Sequence, residues 1–173
     1  MKRFLLQMAG IPGSGKSAIA RGVGGCTHAV VIDKDLLMAA MLRSGVPGEV
    51  SGGAAYELGF DLASAFLSDG HNVVLDTPAN FVGIRENGSA AAREVGAGYF
   101  IIECQIARPV AGLRIAAREP MHALHPVSLD GLDLDFERPD TAPLIEPHLA
   151  LDTAQDFDAC LRQALAYIGY GQG

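Results

Sequence analysis

Residues 10–17 read Gly10-Ile11-Pro12-Gly13-Ser14-Gly15-Lys16-Ser17, and this octet constrains the chain more than any other stretch. It satisfies the pattern GxxxxGK[ST] in full. An apolar run from Phe4 to Ala9 precedes it and reads as a strand; Lys16 to Arg21 follows and reads as the opening of a helix. Glycines let the backbone turn inward so that its N–H groups face an anion, and the helix N-terminus adds positive potential there. A loop of this kind, from Gly10 to Ala18, suits the phosphates of a nucleoside triphosphate. Lys16 would reach the outer phosphates, and the Ser17 hydroxyl would ligate Mg²⁺. A glycine-rich turn without a ligand is the alternative, and the complete match in its required context argues against it.

Beyond the loop, short apolar runs alternate with longer helical patterns, which predicts an α/β fold with a parallel sheet. Strands are expected at Ala29 to Ile32, Asn72 to Leu75, Tyr99 to Cys104 and His148 to Leu151. Helices are expected at Asp35 to Arg43, Ala54 to Leu67, Ile84 to Val95, Pro109 to Arg118 and Ala154 to Ile168. The run Gly22-Val23-Gly24-Gly25 predicts an early stop for the first helix. Residues 119–145 contain Pro120, Pro126, Pro139 and Pro143 with several aspartates, and read as a flap on one domain that spans residues 1–173.

The 173 residues suit one core. The net charge of −7 is uneven. Residues 1–118 hold 11 Lys+Arg against 10 Asp+Glu, and residues 119–173 hold 2 against 10. A surface this acidic does not favour nonspecific nucleic-acid binding. Cys26, Cys104 and Cys160 are odd in number and contain no CxxC pair, which fits reduced thiols in the cytoplasm. The apolar run at the start is too short for a signal peptide, and no stretch approaches a membrane span.

Three carboxylates are expected at strand ends, on the side of the loop, where open parallel sheets bind ligands. Asp76 follows Val73-Val74-Leu75 and is the candidate for holding Mg²⁺ directly or through water, with a helix N-cap or turn aspartate free of metal as the alternative. Asp33 and Asp35 follow the second strand. Asp35 is the candidate to orient an acceptor hydroxyl and take its proton; a helix N-cap is the plainer reading. Arg114 and Arg118, four apart on one helix, are candidates to neutralise charge on a transferring phosphoryl group, with a solvated face as the alternative. Arg85 is a candidate acceptor contact, with a solvated surface arginine as the alternative. His122, His125 and His148 show no metal-ligand spacing, and Met38 and Met41 read as core.

Taken together, these residues resemble the small P-loop kinases and phosphotransferases of the AAA, zeta-toxin, chloramphenicol phosphotransferase and polynucleotide 5′-kinase group. The resemblance rests on residues 10–17, Ile32-Asp33-Lys34-Asp35, Val74-Leu75-Asp76-Thr77 with Arg85, Leu113-Arg114 with Arg118, Phe136-Glu137-Arg138-Pro139 and Leu151-Asp152-Thr153. It implies a P-loop NTPase fold similar to nucleoside monophosphate kinases: a three-layer α/β/α sandwich with a central parallel sheet and a short lid. It also implies ATP with Mg²⁺, an acceptor-activating role for Asp35, and a lid role for Arg114 and Arg118. One departure is Met38, which stands where polynucleotide kinases carry an arginine that grips acceptor phosphate.

The expectation is therefore a cytoplasmic ATP-dependent kinase of a small hydroxylated metabolite, drug or nucleoside. The rival readings are a polynucleotide or RNA 5′-end kinase, and a nucleotide-binding ATPase that regulates a protein partner. ATP against GTP and the oligomeric state stay open at this stage.

Overall fold

The computed structural model of the protein describes residues 3–117 and 144–171. Among the described residues, five strands form one sheet: β1 Phe4–Ala9, β2 Val30–Asp33, β3 Val73–Asp76, β4 Gly98–Gln105 and β5 Leu149–Asp152. Their order is β2-β3-β1-β4-β5, and every pairing is parallel. The helices among the described residues are α1 Lys16–Thr27, α2 Lys34–Arg43, α3 Gly48–Ser68, α4 Val82–Glu94, α5 Arg108–Ala116 and α6 Phe157–Tyr167. The expected parallel α/β architecture is present. The expected flap lies outside the described residues except at Leu144 and Ile145, as does Arg118.

Alternation along β1 separates the two sides of the core. Phe4, Leu6 and Met8 pack with Val74, Ile102, Cys104 and Leu151 against Ile19, Ala20 and Val23 of α1 and Cys160 and Ala164 of α6. Leu5 packs with Val73, Leu75 and Ile32 against Phe60, Ala63 and Leu67 of α3 and Ala92 of α4. Leu5 and Leu6 are fully buried, so truncating either to alanine would cost about 2–5 kcal/mol. β1 and β3 are buried along their whole lengths, as central strands of a parallel sheet covered on both faces must be.

Two helices run more than a turn beyond their expected limits. α1 runs through Gly22-Val23-Gly24-Gly25 to Thr27. Here two of the glycines permit close packing rather than ending the helix. A Cβ on Gly22 would lie 3.0 Å from Phe157 and 3.1 Å from Leu161 of α6, and one on Gly24 would run into Val31. Tertiary packing has overridden a weak local propensity. α3 begins at Gly48 rather than Ala54. Ser51, in its added first turn, is fully buried and donates its hydroxyl to the Gly48 carbonyl at 3.1 Å.

Candidate active site

The connection from β1 leads through α1 to β2, on one flank of the sheet, while that from β4 leads to β5 on the other. Adjacent parallel strands whose connections diverge leave a crevice beyond their carboxyl ends. Residues 10–15 occupy that position. A cleft of about 160 Å³ beside them is lined by Gly10, Ile11, Asn80 and residues 103–106.

The loop's shape depends on glycine at three points: Gly10, Gly13 and the N-cap Gly15, whose φ is 94°; the first two are also crowded. Gly10 has φ 125°, and a side chain there would run into the Cys104 carbonyl; Gly13 has φ 76°, and a Cβ would sit 2.6 Å from the Ala111 carbonyl of α5. Both conformations are strained for any residue with a Cβ. α1 then starts at Lys16 behind the N-cap Gly15, with no side-chain cap and no acid in its first turn, which suits its N-terminus to an anion. Lys16 Nζ donates to the Gly10 and Ile11 carbonyls at 2.9 Å each, so the ammonium lies against the loop. Ser14 Oγ is buried with no hydrogen-bond partner among the described residues. That deficit costs about 1–3 kcal/mol and fits a loop that completes its bonding with an anion.

Two clamps hold the loop from either side, and sequence reasoning missed both. On the β3 side, Asn80 Oδ1 accepts the Gly10 N–H at 3.0 Å and its Nδ2 donates to the Gly10 carbonyl at 3.4 Å. On the β5 side, the buried Thr153 hydroxyl donates to the Ser14 carbonyl at 2.7 Å and lies 3.0 Å from the Gln105 carbonyl. The motif Leu151-Asp152-Thr153 was a usable signal for the second; nothing local distinguishes Asn80.

Two of the three strand-end carboxylates stand next to each other. Asp33 and Asp76 are register partners at the ends of β2 and β3. Asp76 is nearly buried, and the Ser17 hydroxyl donates to it. Burial pushes the Asp76 carboxyl up; the Ser17 hydrogen bond and Lys16 pull it down, while Asp33 and Asp35 add to the rise. A hydroxyl and one carboxylate with room for phosphate and water oxygens are the donor set Mg²⁺ takes. Among the described residues, no three His, Cys, Asp or Glu side chains cluster as a protein-only cage.

Asp33, not Asp35, caps α2: its Oδ1 accepts from the Asp35 and Leu36 N–H groups at 2.9 and 3.2 Å. Asp35 sits in the first turn with its side chain 80% exposed, 2.9 Å from Lys34 Nζ. The Lys34 ammonium in turn lies 5.2 Å from the centre of the Tyr56 ring on α3. The capping duty and the outward-facing carboxylate thus belong to different aspartates.

The arginines diverge. Arg114 Nη2 donates to the Thr153 carbonyl at 2.8 Å, and a Cβ on Gly15 would lie 3.6 Å from its Nη1, so this guanidinium borders the loop. Arg85, expected to meet the acceptor, is 3% exposed. It donates to Glu146 Oε1 and to the Ala79 and Asn80 carbonyls, each at 3.1 Å. Its partners are protein groups because α4 starts just beyond the turn whose carbonyls it satisfies. His148 Nδ1 lies 2.8 Å from the Glu146 carbonyl and its Nε2 3.7 Å from Glu103.

This sheet order, with a glycine loop between β1 and α1 and a carboxylate at the end of β3, defines a P-loop protein of the kinase-like α/β class. The chain belongs to the AAA domain family, whose model matches residues 5–129. No curated protein matches it by sequence. Among solved structures it resembles a sugar kinase from Janibacter sp. HTCC2649, with TM-score 0.70 and 19% identity over 99% of this chain and 96% of the other. It also resembles a gluconokinase from Sinorhizobium meliloti 1021, with TM-score 0.66 and 20% identity over 97% and 94%. A third is the Mycobacterium tuberculosis APS kinase in complex with AMPPNP and APS, with TM-score 0.71 and 17% identity over 97% and 98%. These likenesses establish a shared fold. No described helix is long and apolar enough to cross a membrane.

Proposed function

We propose that this protein is a Mg²⁺-dependent kinase that transfers the γ-phosphoryl group of ATP to a hydroxyl of a small molecule. The observation that carries this reading is the convergence of Lys16, Ser17 and Asp76 at the loop, with the exposed Asp35 carboxylate one helical turn from the same strand ends. The similar structures described as sugar, gluconate and APS kinases name small-molecule acceptors, which favours the same class here.

Ser17 and Asp76 would hold Mg²⁺, which supplies charge neutralisation across the outer phosphates when bound. Residues 10–17 orient the triphosphate through backbone amides, and Lys16 contributes a positive charge where negative charge shifts during transfer. Asp35 accepts the proton of the acceptor hydroxyl as its oxygen bonds to the γ-phosphorus. The bond from that phosphorus to the β,γ-bridging oxygen breaks, and ADP leaves with those electrons. Arg114, beside Gly15, adds a second cation along the phosphates.

The test is ADP release and product mass with ATP and a panel of acceptors: neutral sugars, sugar acids, amino sugars, nucleosides, and DNA and RNA 5′ ends. Phosphorylation of a small acceptor supports the reading. Transfer confined to nucleic-acid ends, or slow hydrolysis with no transfer, overturns it.

A further inference from the structure

A continuous polar chain runs from the segment after residue 143 to the phosphate-binding loop, and its central residue is Arg85. Glu146 Oε1 accepts from Arg85 Nε. Arg85 Nη1 donates to the carbonyls of Ala79 and Asn80. The Ala79 N–H bonds to the Met8 carbonyl at 2.9 Å, which ties the same turn to β1. Asn80 then brackets Gly10 through both its N–H and its carbonyl. That carbonyl is also one of the two that receive Lys16 Nζ.

A second branch secures Arg85 from behind. Gln7 is fully buried in β1; its Nε2 donates to Thr77 Oγ1 at 3.0 Å and to the Ile84 carbonyl at 3.3 Å. Tyr99 donates its hydroxyl to Gln7 Oε1 at 2.6 Å and lies 3.3 Å from the Arg85 carbonyl. Gly88 of α4 leaves room for this group, since a Cβ there would run into Gln7 Oε1. Buried polar groups joined in this way favour one geometry, because each bond lost strands a partner out of water.

We propose that Arg85 and Asn80 are positioning residues for the phosphate-binding loop, with Glu146 as the counter-ion that lets Arg85 be buried. The guanidinium fork suits this task. Its planar donors serve a carboxylate on one side and two carbonyls on the other, a geometry an ammonium cannot reproduce. Glu146 feels the connection: burial pushes its carboxyl up, but the hydrogen bonds from its own N–H and from Arg85, with the Arg85 charge, bring it below its ordinary value. The relay would set nucleotide affinity through Gly10 and leave acceptor recognition to other residues. The inference rests on the nucleotide-binding part of the kinase reading and not on phosphoryl transfer, so its readout is nucleotide binding.

The experiment compares Asn80→Ala, Arg85→Lys, Glu146→Gln and the Asn80→Ala/Arg85→Lys double variant by calorimetric binding of Mg²⁺·AMPPNP, with thermal melting of each. Asn80→Ala and Arg85→Lys should each weaken binding by about tenfold. The double variant should be no weaker than the poorer single one, because both act through the same contact with Gly10. Glu146→Gln, at a half-exposed site, keeps the fold testable if Arg85→Lys fails to fold, and should weaken binding about threefold. A lowered Tm with unchanged nucleotide affinity would reduce the network to a structural brace and overturn the proposal. So would fully additive losses, or a rise confined to acceptor KM. Binding is decided whether or not transfer is observed, so failure of the relay and failure of the kinase reading are separable.

Discussion

Asp33 and Asp76 stand side by side in register at the ends of β2 and β3, and only one of them is deeply buried. Asp33 spends its carboxylate on the first turn of α2, whereas Asp76 faces Ser17 in a site that disfavours its charge. Burial and the neighbouring Asp33 charge raise the folded-state pKa of Asp76 above its ordinary 3.8. The unprotonated form therefore costs stability in the metal-free protein. That cost is absent below the ordinary value, grows as pH rises from there through the raised folded-state value, and is fully present above it. Asp76→Asn should accordingly raise the Tm at pH 7 in EDTA and lose the further rise produced by Mg²⁺·AMPPNP. Melting curves with and without the ligand check both halves; a lower metal-free Tm would contradict the burial argument.

The two aspartates of α2 should separate cleanly. Asp35→Asn keeps side-chain size, leaves the cap of α2 intact and removes the exposed charge. Single-turnover transfer should fall by about a hundredfold or more, with nucleotide affinity and Tm nearly unchanged. Asp33→Ala should do the reverse in stability, lowering it by about 1 kcal/mol through loss of the cap. Equal transfer rates for the native protein and Asp35→Asn would remove Asp35 from the chemistry.

Lys16→Ala should leave the melting transition cooperative, since the Lys16 ammonium bonds to loop carbonyls rather than filling the core. Phosphoryl transfer should drop by about a hundredfold to a thousandfold, the scale of losing one charged donor at a developing charge. Steady-state rates at saturating acceptor measure it, and full activity would end the kinase reading.

Neighbouring glycines in α1 should respond with opposite signs. A Cβ at Gly25 meets nothing within 4 Å, so Gly25→Ala should stabilise by about 0.5–1 kcal/mol through helix propensity. At Gly24 the same methyl would collide with Val31 and approach the Ala29 carbonyl at 3.3 Å, so Gly24→Ala should destabilise by about 1–3 kcal/mol. Denaturant midpoints of the two variants, at constant m, decide the point.

The sequence by itself determined the parallel α/β class, the phosphate loop and the placement of Asp76. Each follows from patterns that act locally: an apolar run with a carboxylate at its end, and glycines at fixed spacing before a helix. The tertiary structure decided what depends on contact between distant segments. Gly22 and Gly24 continue a helix because α6 and β2 press against it. Gln7 lies buried in β1 because Thr77, Tyr99 and the Ile84 carbonyl meet its amide there. Thr153 and Asn80 grip the loop from residues 139 and 70 positions away. Arg85 turns from solvent to the protein interior because Glu146 and two turn carbonyls offer it partners. A local pattern records what a residue prefers; whether a buried polar group finds its partner is settled only when the chain has closed.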